Sequence, residues 1–302
     1  MARSIDAREE PQPGRRGRFP AKFLAEARCA AATTPHPVNG AGYGWSVPHA
    51  SPEAQERLVA LEGPVNFRDL GGYRATGGWT AWRHIYRSDA LTTLTEHDVR
   101  RLEQLGLRTV IDLRHANELL REPNAFAGHP AVQLRHGPLL LDEAWIPTSV
   151  QGLGDLDLAA MNREMVRGGG EAIALLFHLL AEDASYPLVF HCRGGRDRTG
   201  LAAALILRAA GVSEEDVLAD YLLSNRYLQS RVVKLSASLG AEGLDPAEVV
   251  ERLQLREVYL RAALHLIDTD FGGVPSYLAH LGLTEAEMAS FREHFISRER
   301  EP

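Results

Sequence analysis

The chain has 302 residues, 45% hydrophobic and 24% charged, with a formal net charge of −7. That is the composition of a soluble globular protein, long enough for one large domain or two ordinary ones. The acidic balance argues against a nucleic-acid-binding face, the two cysteines (Cys29 and Cys192) exclude a disulfide framework or a cysteine-rich zinc site, and no apolar run reaches the roughly 18 residues of a membrane span.

Residues 1–50 mix Pro, Gly, Arg and Ala without periodicity and hold seven Arg/Lys against four Asp/Glu. They read as a disordered or loosely attached tail, with residues 19–24 able to form a short docking helix. The N-terminus lacks the apolar stretch of a standard secretory signal. Together with the sparse cysteines, this sets a reducing cytoplasm as the expected location, with export by another route left open.

Residues 51–302 read as the folded domain. Segments 65–68 and 82–87 predict early strands around a turn at 75–78. Thr95 opens a helix with a capping-box-like pattern and Gly106 ends it. Segments 107–113 and 132–134 predict strands, and 142–157, with Asp142, Pro147, Gly152 and Gly154, a loop. Glycines 168–170 separate a helix near 158–166 from an apolar helix over 171–182. The run 187–191 predicts a buried strand and 201–208 a helix. Ser213, the pair Asp245-Pro246 and Thr284 open three further helices. Strands alternating with helices, then a helical C-terminal half, predict an α/β sheet with a helical cap.

The most informative stretch joins the strand at 187–191 to the helix after it: His191-Cys192-Arg193-Gly194-Gly195-Arg196-Asp197-Arg198-Thr199-Gly200. A strand, a glycine-containing turn and a helix N-terminus form an anion cradle, because backbone N–H groups and the helix dipole converge. Cys192 at its base is the candidate thiolate nucleophile. Arg198, six positions on, is the candidate two-point phosphate clamp. Thr199 is placed to donate its hydroxyl to the Cys192 sulfur. Gly194 and Gly195 let the backbone approach the phosphate. An isolated cysteine after a core strand is more often inert; the accompanying arginine, glycines and threonine point to phosphate-ester cleavage. Arg193, Arg196 and Arg198, offset by one aspartate, favour a multiply anionic substrate: a phosphotyrosine or phosphoserine/threonine protein, or a phosphoinositide. No metal-ligand spacing is evident, so neither metal nor cofactor is expected.

The stretch resembles the His-Cys-x5-Arg-Thr/Ser signature of the cysteine-dependent protein tyrosine phosphatases. It is most similar to the atypical bacterial tyrosine/dual-specificity branch, with Arg196 where that branch usually has lysine. Asn66-Phe67-Arg68-Asp69-Leu70-Gly71-Gly72, Tyr86-Arg87-Ser88-Asp89-Ala90-Leu91, Ile111-Asp112-Leu113-Arg114, Val274-Pro275-Ser276-Tyr277-Leu278 and Leu281-Gly282-Leu283-Thr284 resemble further landmarks, so the resemblance covers roughly residues 60–298. It implies a central, mostly parallel sheet flanked by helices, with a helical C-terminal cap. It also implies a phosphocysteine mechanism with Asp197 as general acid; Asp142 and Asp155 are alternatives on a separate loop. Asp112 is expected to face the signature loop and either pair with Arg196 or form a purely structural salt bridge, and Arg68, with Arg87, either to line the pocket mouth or to be a solvated or paired surface arginine. His191 is expected to orient the loop. The alternatives are a phosphoinositide-preferring lipid phosphatase, a rhodanese-like sulfurtransferase, whose loop is shorter, and a phosphate-binding module without catalysis.

Overall fold

The apolar run expected to be a buried strand sits at the centre of the sheet. The computed structural model describes residues 36–38, 42–44, 52–140, 142–146, 156–241, 243 and 245–300. Its main sheet has five strands: β3 (Arg68–Asp69), β6 (Ile85–Ser88), β7 (Thr109–Asp112), β8 (Gln133–His136) and β9 (Leu188–His191), in the order β3-β6-β9-β7-β8. All neighbours are parallel except β3, which runs antiparallel to β6. Side chains alternate between two cores, as period-2 geometry requires. Ile85, Ile111, Leu188 and Phe190 enter the larger core; Tyr86, Val110 and Val189 enter the smaller one with Phe67, Leu102 and Phe126. A sheet buried on both faces accounts for the unbroken apolar reading of β9.

A hairpin of β4 (Arg74–Ala75) and β5 (Gly78–Thr80) turns where the sequence predicts, and β10 (Ile296–Ser297) pairs with β5. The strand expected over 65–68 shrinks to β3, because the Val65 and Asn66 amides bond the Asp89 carboxylate instead of a neighbouring strand. Within the range read as a tail, β1 (His36–Val38) and β2 (Gly42–Gly44) pair antiparallel. The rest of 1–50, with segment 19–24 and Cys29, lies outside the described residues.

The helices begin where the caps predict. In α2 (Glu96–Gln104) Thr95 and Asp98 form a reciprocal capping box, and α11 (Glu285–Phe295) repeats it with Thr284 and Glu287. The helix α8 (Pro246–Leu253) is capped by Asp245. The glycine break separates α4 (Leu158–Gly168) from α5 (Gly170–Leu180). Short helices α1 (Pro52–Arg57) and α3 (Ala116–Arg121) flank the sheet. The helix after the signature, α6 (Asp197–Ala209), is buried almost all round. It is wrapped by α4, α7 (Glu214–Ala241), α9 (Glu257–Phe271) and α10 (Val274–His280), the helical C-terminal cap. Among the described residues, no helix is long and apolar enough to cross a membrane.

Candidate active site

The parallel register places Ser88, His191 and Asp112 side by side at the carboxyl ends of β6, β9 and β7, where open α/β sheets bind ligands. The signature loop leaves β9 there and enters α6. Its carbonyls are held from outside. His191 Nδ1 lies 3.1 Å from the Cys192 carbonyl, and the Ala90 amide donates to the Arg193 carbonyl at 3.0 Å. Arg87 Nη2 and Asn66 Nδ2 donate to the Gly195 carbonyl at 2.9 and 3.1 Å. A trans peptide sets C=O and the following N–H antiparallel, so the amides of Arg193, Gly194 and Arg196 turn away from these donors. The first turn of α6 adds amides with no helical carbonyl to reach. Together they make the anion cradle. Gly195 is required: its φ is +64°, and a Cβ would lie 2.6 Å from the Asp89 amide nitrogen and 2.8 Å from Asn66 Nδ2.

Cys192 is buried, 3% exposed, at the foot of the loop. Arg198 is the second residue of α6, and its guanidinium grips both carboxylate oxygens of Glu118 on α3, Nη2 to Oε1 at 3.0 Å. Burial opposes charge on Arg198, but the neighbouring Cys192 sulfur and Glu118 hold it firmly protonated, above the ordinary arginine value. Burial opposes ionisation of Glu118 as well; the Arg198 hydrogen bond and charge win and keep it below the usual carboxylate range. Glu118 also accepts the His115 amide at 2.9 Å in the capping box of α3, so the local start of that short helix aims the carboxylate at the loop.

Asp197 opens α6 half-buried, and its Oδ1 atom is buried without a hydrogen-bond partner. Arg196 is half-buried too, with Nε and Nη2 unpartnered. Arg193 points outward, its side chain 57% exposed and 3.9 Å from Glu122. Gly194 lies against the Arg196 stem, where a Cβ would meet Cδ at 3.4 Å.

Four residues are engaged elsewhere in the fold. Asp112 is fully buried and pairs with Arg114 at 2.7 Å, Asn124 at 3.0 Å and His191 at 3.3 Å, not with Arg196. Burial works against its charge, but His191 and Arg114 hold it well below the usual carboxylate range. It therefore steadies the loop from beneath, through His191, and has no surface to offer a substrate. Arg68 is fully buried against Asp220 at 3.0 Å, and Arg87 meets the same carboxylate at 2.5 Å; neither lines the pocket mouth. Thr199 is fully buried and donates to the Ser88 carbonyl at 3.5 Å, not to Cys192. Asp142 accepts the Ala144 amide at 2.8 Å within a local turn, and Asp155 lies outside the described residues.

Glu118, Asp220 and Asn124 were not singled out from the sequence. Glu118 lies in a stretch to which the sequence assigns no element, and nothing in its spacing points to an arginine 80 residues away. Among the described residues, Glu62, His97 and Asp98 are the one trio close enough to share a metal ion. The Asp98 carboxylate is already committed to the amides of Glu62, Gly63 and Thr95.

Residues 59–297 match the model of the tyrosine phosphatase family. A Cupriavidus necator protein assigned by name to the tyrosine-protein phosphatases is 30% identical over 283 residues, covering 91% of this chain and 99% of its own. The triple specificity protein phosphatase PtpB of Mycobacterium tuberculosis is 29% identical over 273 residues, covering 77% of this chain and 96% of its own. Among solved structures, Pseudomonas aeruginosa TpbA aligns with 56% of this chain and 85% of its own, at 20% identity and a TM-score of 0.30. The family match spans the whole sheet, the loop and the helical cap, so the chain belongs to the tyrosine phosphatase family and is a phosphoric monoester hydrolase.

Proposed function

We propose that the chain hydrolyses phosphotyrosine monoesters through a phosphocysteine intermediate on Cys192. The phosphate sits in the cradle, its equatorial oxygens on the inward amides and on the Arg198 guanidinium. The Cys192 sulfur attacks phosphorus in line, an S–P bond forms, and the P–O bond to the tyrosyl oxygen breaks. Asp197 gives that oxygen its proton. Water then attacks phosphorus, returning a proton to Asp197, and the S–P bond breaks to release inorganic phosphate and the thiolate. Arg198 stabilises the charge on the phosphoryl oxygens in both steps. Thr199, bonded to Ser88, ties α6 to the sheet in this scheme.

The observation that carries this reading is the outward restraint of three loop carbonyls around a buried cysteine, with Arg198 held by Glu118 beside it. Phosphoserine/threonine proteins and phosphoinositides extend the substrate range. The exposed Arg193 and the unpartnered Arg196 donors suit extra negative charge, and a relative is named a triple specificity phosphatase.

Rapid-quench mass spectrometry with an aryl phosphate tests the mechanism. A phosphoryl adduct should appear on Cys192 within one turnover, and Cys192→Ser should be folded and inactive. Turnover above about a tenth of wild type in that variant would rule out the covalent route, since a serine hydroxyl is scarcely ionised there.

A further inference from the structure

The cradle is shaped by a residue outside the loop and outside the sheet. Asp220 lies on α7, in the helical cap, and is 1% exposed. Its carboxylate takes Arg68 Nε at 3.0 Å and Arg87 Nη1 at 2.5 Å, and the Tyr73 hydroxyl donates to it at 3.2 Å. Burial opposes its charge, but the two arginines hold it ionised, well below the usual carboxylate range. The second nitrogen of Arg87, Nη2, reaches past Asp220 to the Gly195 carbonyl at 2.9 Å. Asn66 Nδ2 supplies the other donor at 3.1 Å and also meets Ser224, one turn beyond Asp220 on α7, at 3.3 Å. The same Gly195 carbonyl is thus held twice by side chains that α7 organises.

We infer that Asp220, acting through Arg87, is a positioning residue for phosphate binding. Arg87 is a planar fork with one tooth on Asp220 and the other on the loop. With its carbonyl fixed, the Gly195–Arg196 peptide can present its N–H only toward the cradle. Gly195 has φ +64° and no side chain, so its backbone is freer to rotate once the Arg87 bond is lost and Asn66 alone holds the carbonyl. Arg87 and Asn66 hold this carbonyl outward, and Asp220 and Ser224 on α7 hold those two side chains in turn. This inference rests on the phosphatase chemistry proposed above.

The test is binding of inorganic phosphate to full-length, nitrogen-15-labelled protein, followed at the loop amides, with kcat and KM on an aryl phosphate measured alongside. In wild type, phosphate should shift the amides of residues 193–198, Arg196 among them. Arg87→Lys keeps the charge beside Asp220 but cannot span both partners. Phosphate should bind it at least about tenfold more weakly, with the Arg196 amide no longer shifting and kcat falling more than KM rises. Asp220→Asn should move the same readouts the same way. Tyr73→Phe removes a different hydrogen bond from the same carboxylate and leads nowhere near the loop; its phosphate affinity should stay within about twofold of wild type. Wild-type affinity and an intact Arg196 shift in Arg87→Lys overturn the inference while leaving the phosphatase chemistry standing. Equal weakening by Tyr73→Phe also overturns it, since general loosening would then be the cause. Absence of any phosphate response in the wild-type loop removes the cradle itself, and this inference with it, before any variant is compared.

Discussion

Glu118→Gln isolates the grip on Arg198. Both side chains are nearly buried, 12% exposed for Arg198 and 10% for Glu118. Glutamine keeps an oxygen for one guanidinium nitrogen and still suits the N3 place of a capping box, so α3 should form normally. The second nitrogen then faces an amide N–H instead of an oxygen, and the neutralising charge is gone. One charge-assisted hydrogen bond of this kind contributes roughly 1.5–3 kcal/mol. At about 2–4 °C per kcal/mol for a domain of this size, Tm should fall by about 3–12 °C near neutral pH. The pH dependence has a definite sign. Glu118 is held below its ordinary 4.5, so its contribution is complete above that pH and is lost as pH falls through the lower folded value. The Tm gap between wild type and variant should therefore be constant from about pH 6 to 8 and narrow as the pH falls below 4.5. An Arg198 free to leave the cradle should lower kcat by roughly 10- to 100-fold, about 1.4–2.7 kcal/mol of lost transition-state stabilisation. Thermal scans across pH and steady-state kinetics on an aryl phosphate measure both. Unchanged kcat/KM alongside a lowered Tm would show that Glu118 only stabilises the fold, and the positioning argument would fail.

Arg198→Lys keeps the charge but not the planar two-point grip, so kcat should drop about 10²–10³-fold; a rise in KM alone would make Arg198 a ground-state binder. Asp197→Asn should slow alkyl phosphates far more than activated aryl phosphates, because only the poor leaving group needs the proton. Equal slowing of both would remove Asp197 as the acid, and leaving-group dependence in Asp142→Asn would move that role to the other loop. Gly195→Ala forces a side chain into φ +64°, 2.6 Å from the Asp89 amide nitrogen. The left-handed conformation alone costs about 1–2 kcal/mol, and vanadate should no longer raise the Tm of this variant; a protected variant would mean the loop tolerates a moved Gly195 peptide.

Features that depend on neighbours along the chain are legible in the sequence. The strand–turn–helix run from Leu188 to Ala209 builds the cradle from contiguous residues, and the capping residues Thr95, Asp245 and Thr284 bond amides two or three positions away. Sheet class followed from strands alternating with helices, and family from the signature and its spaced landmarks. Side-chain partners across the fold were not legible. Arg198 meets Glu118 over a separation of 80 residues, Arg87 meets Asp220 over 133, and Asn66 meets Gly195 over 129. Arginines are almost never fully buried without a partner, so an arginine in a motif reads as surface or pocket until that partner is known. Tertiary packing decided that Arg68 and Arg87 lie under the loop, because Asp220 on a distant helix compensates their charge. It likewise turned Asp112 inward to Arg114 and His191. A carboxylate out of water goes to whichever cations the fold brings beside it, and spacing along the chain does not encode that choice.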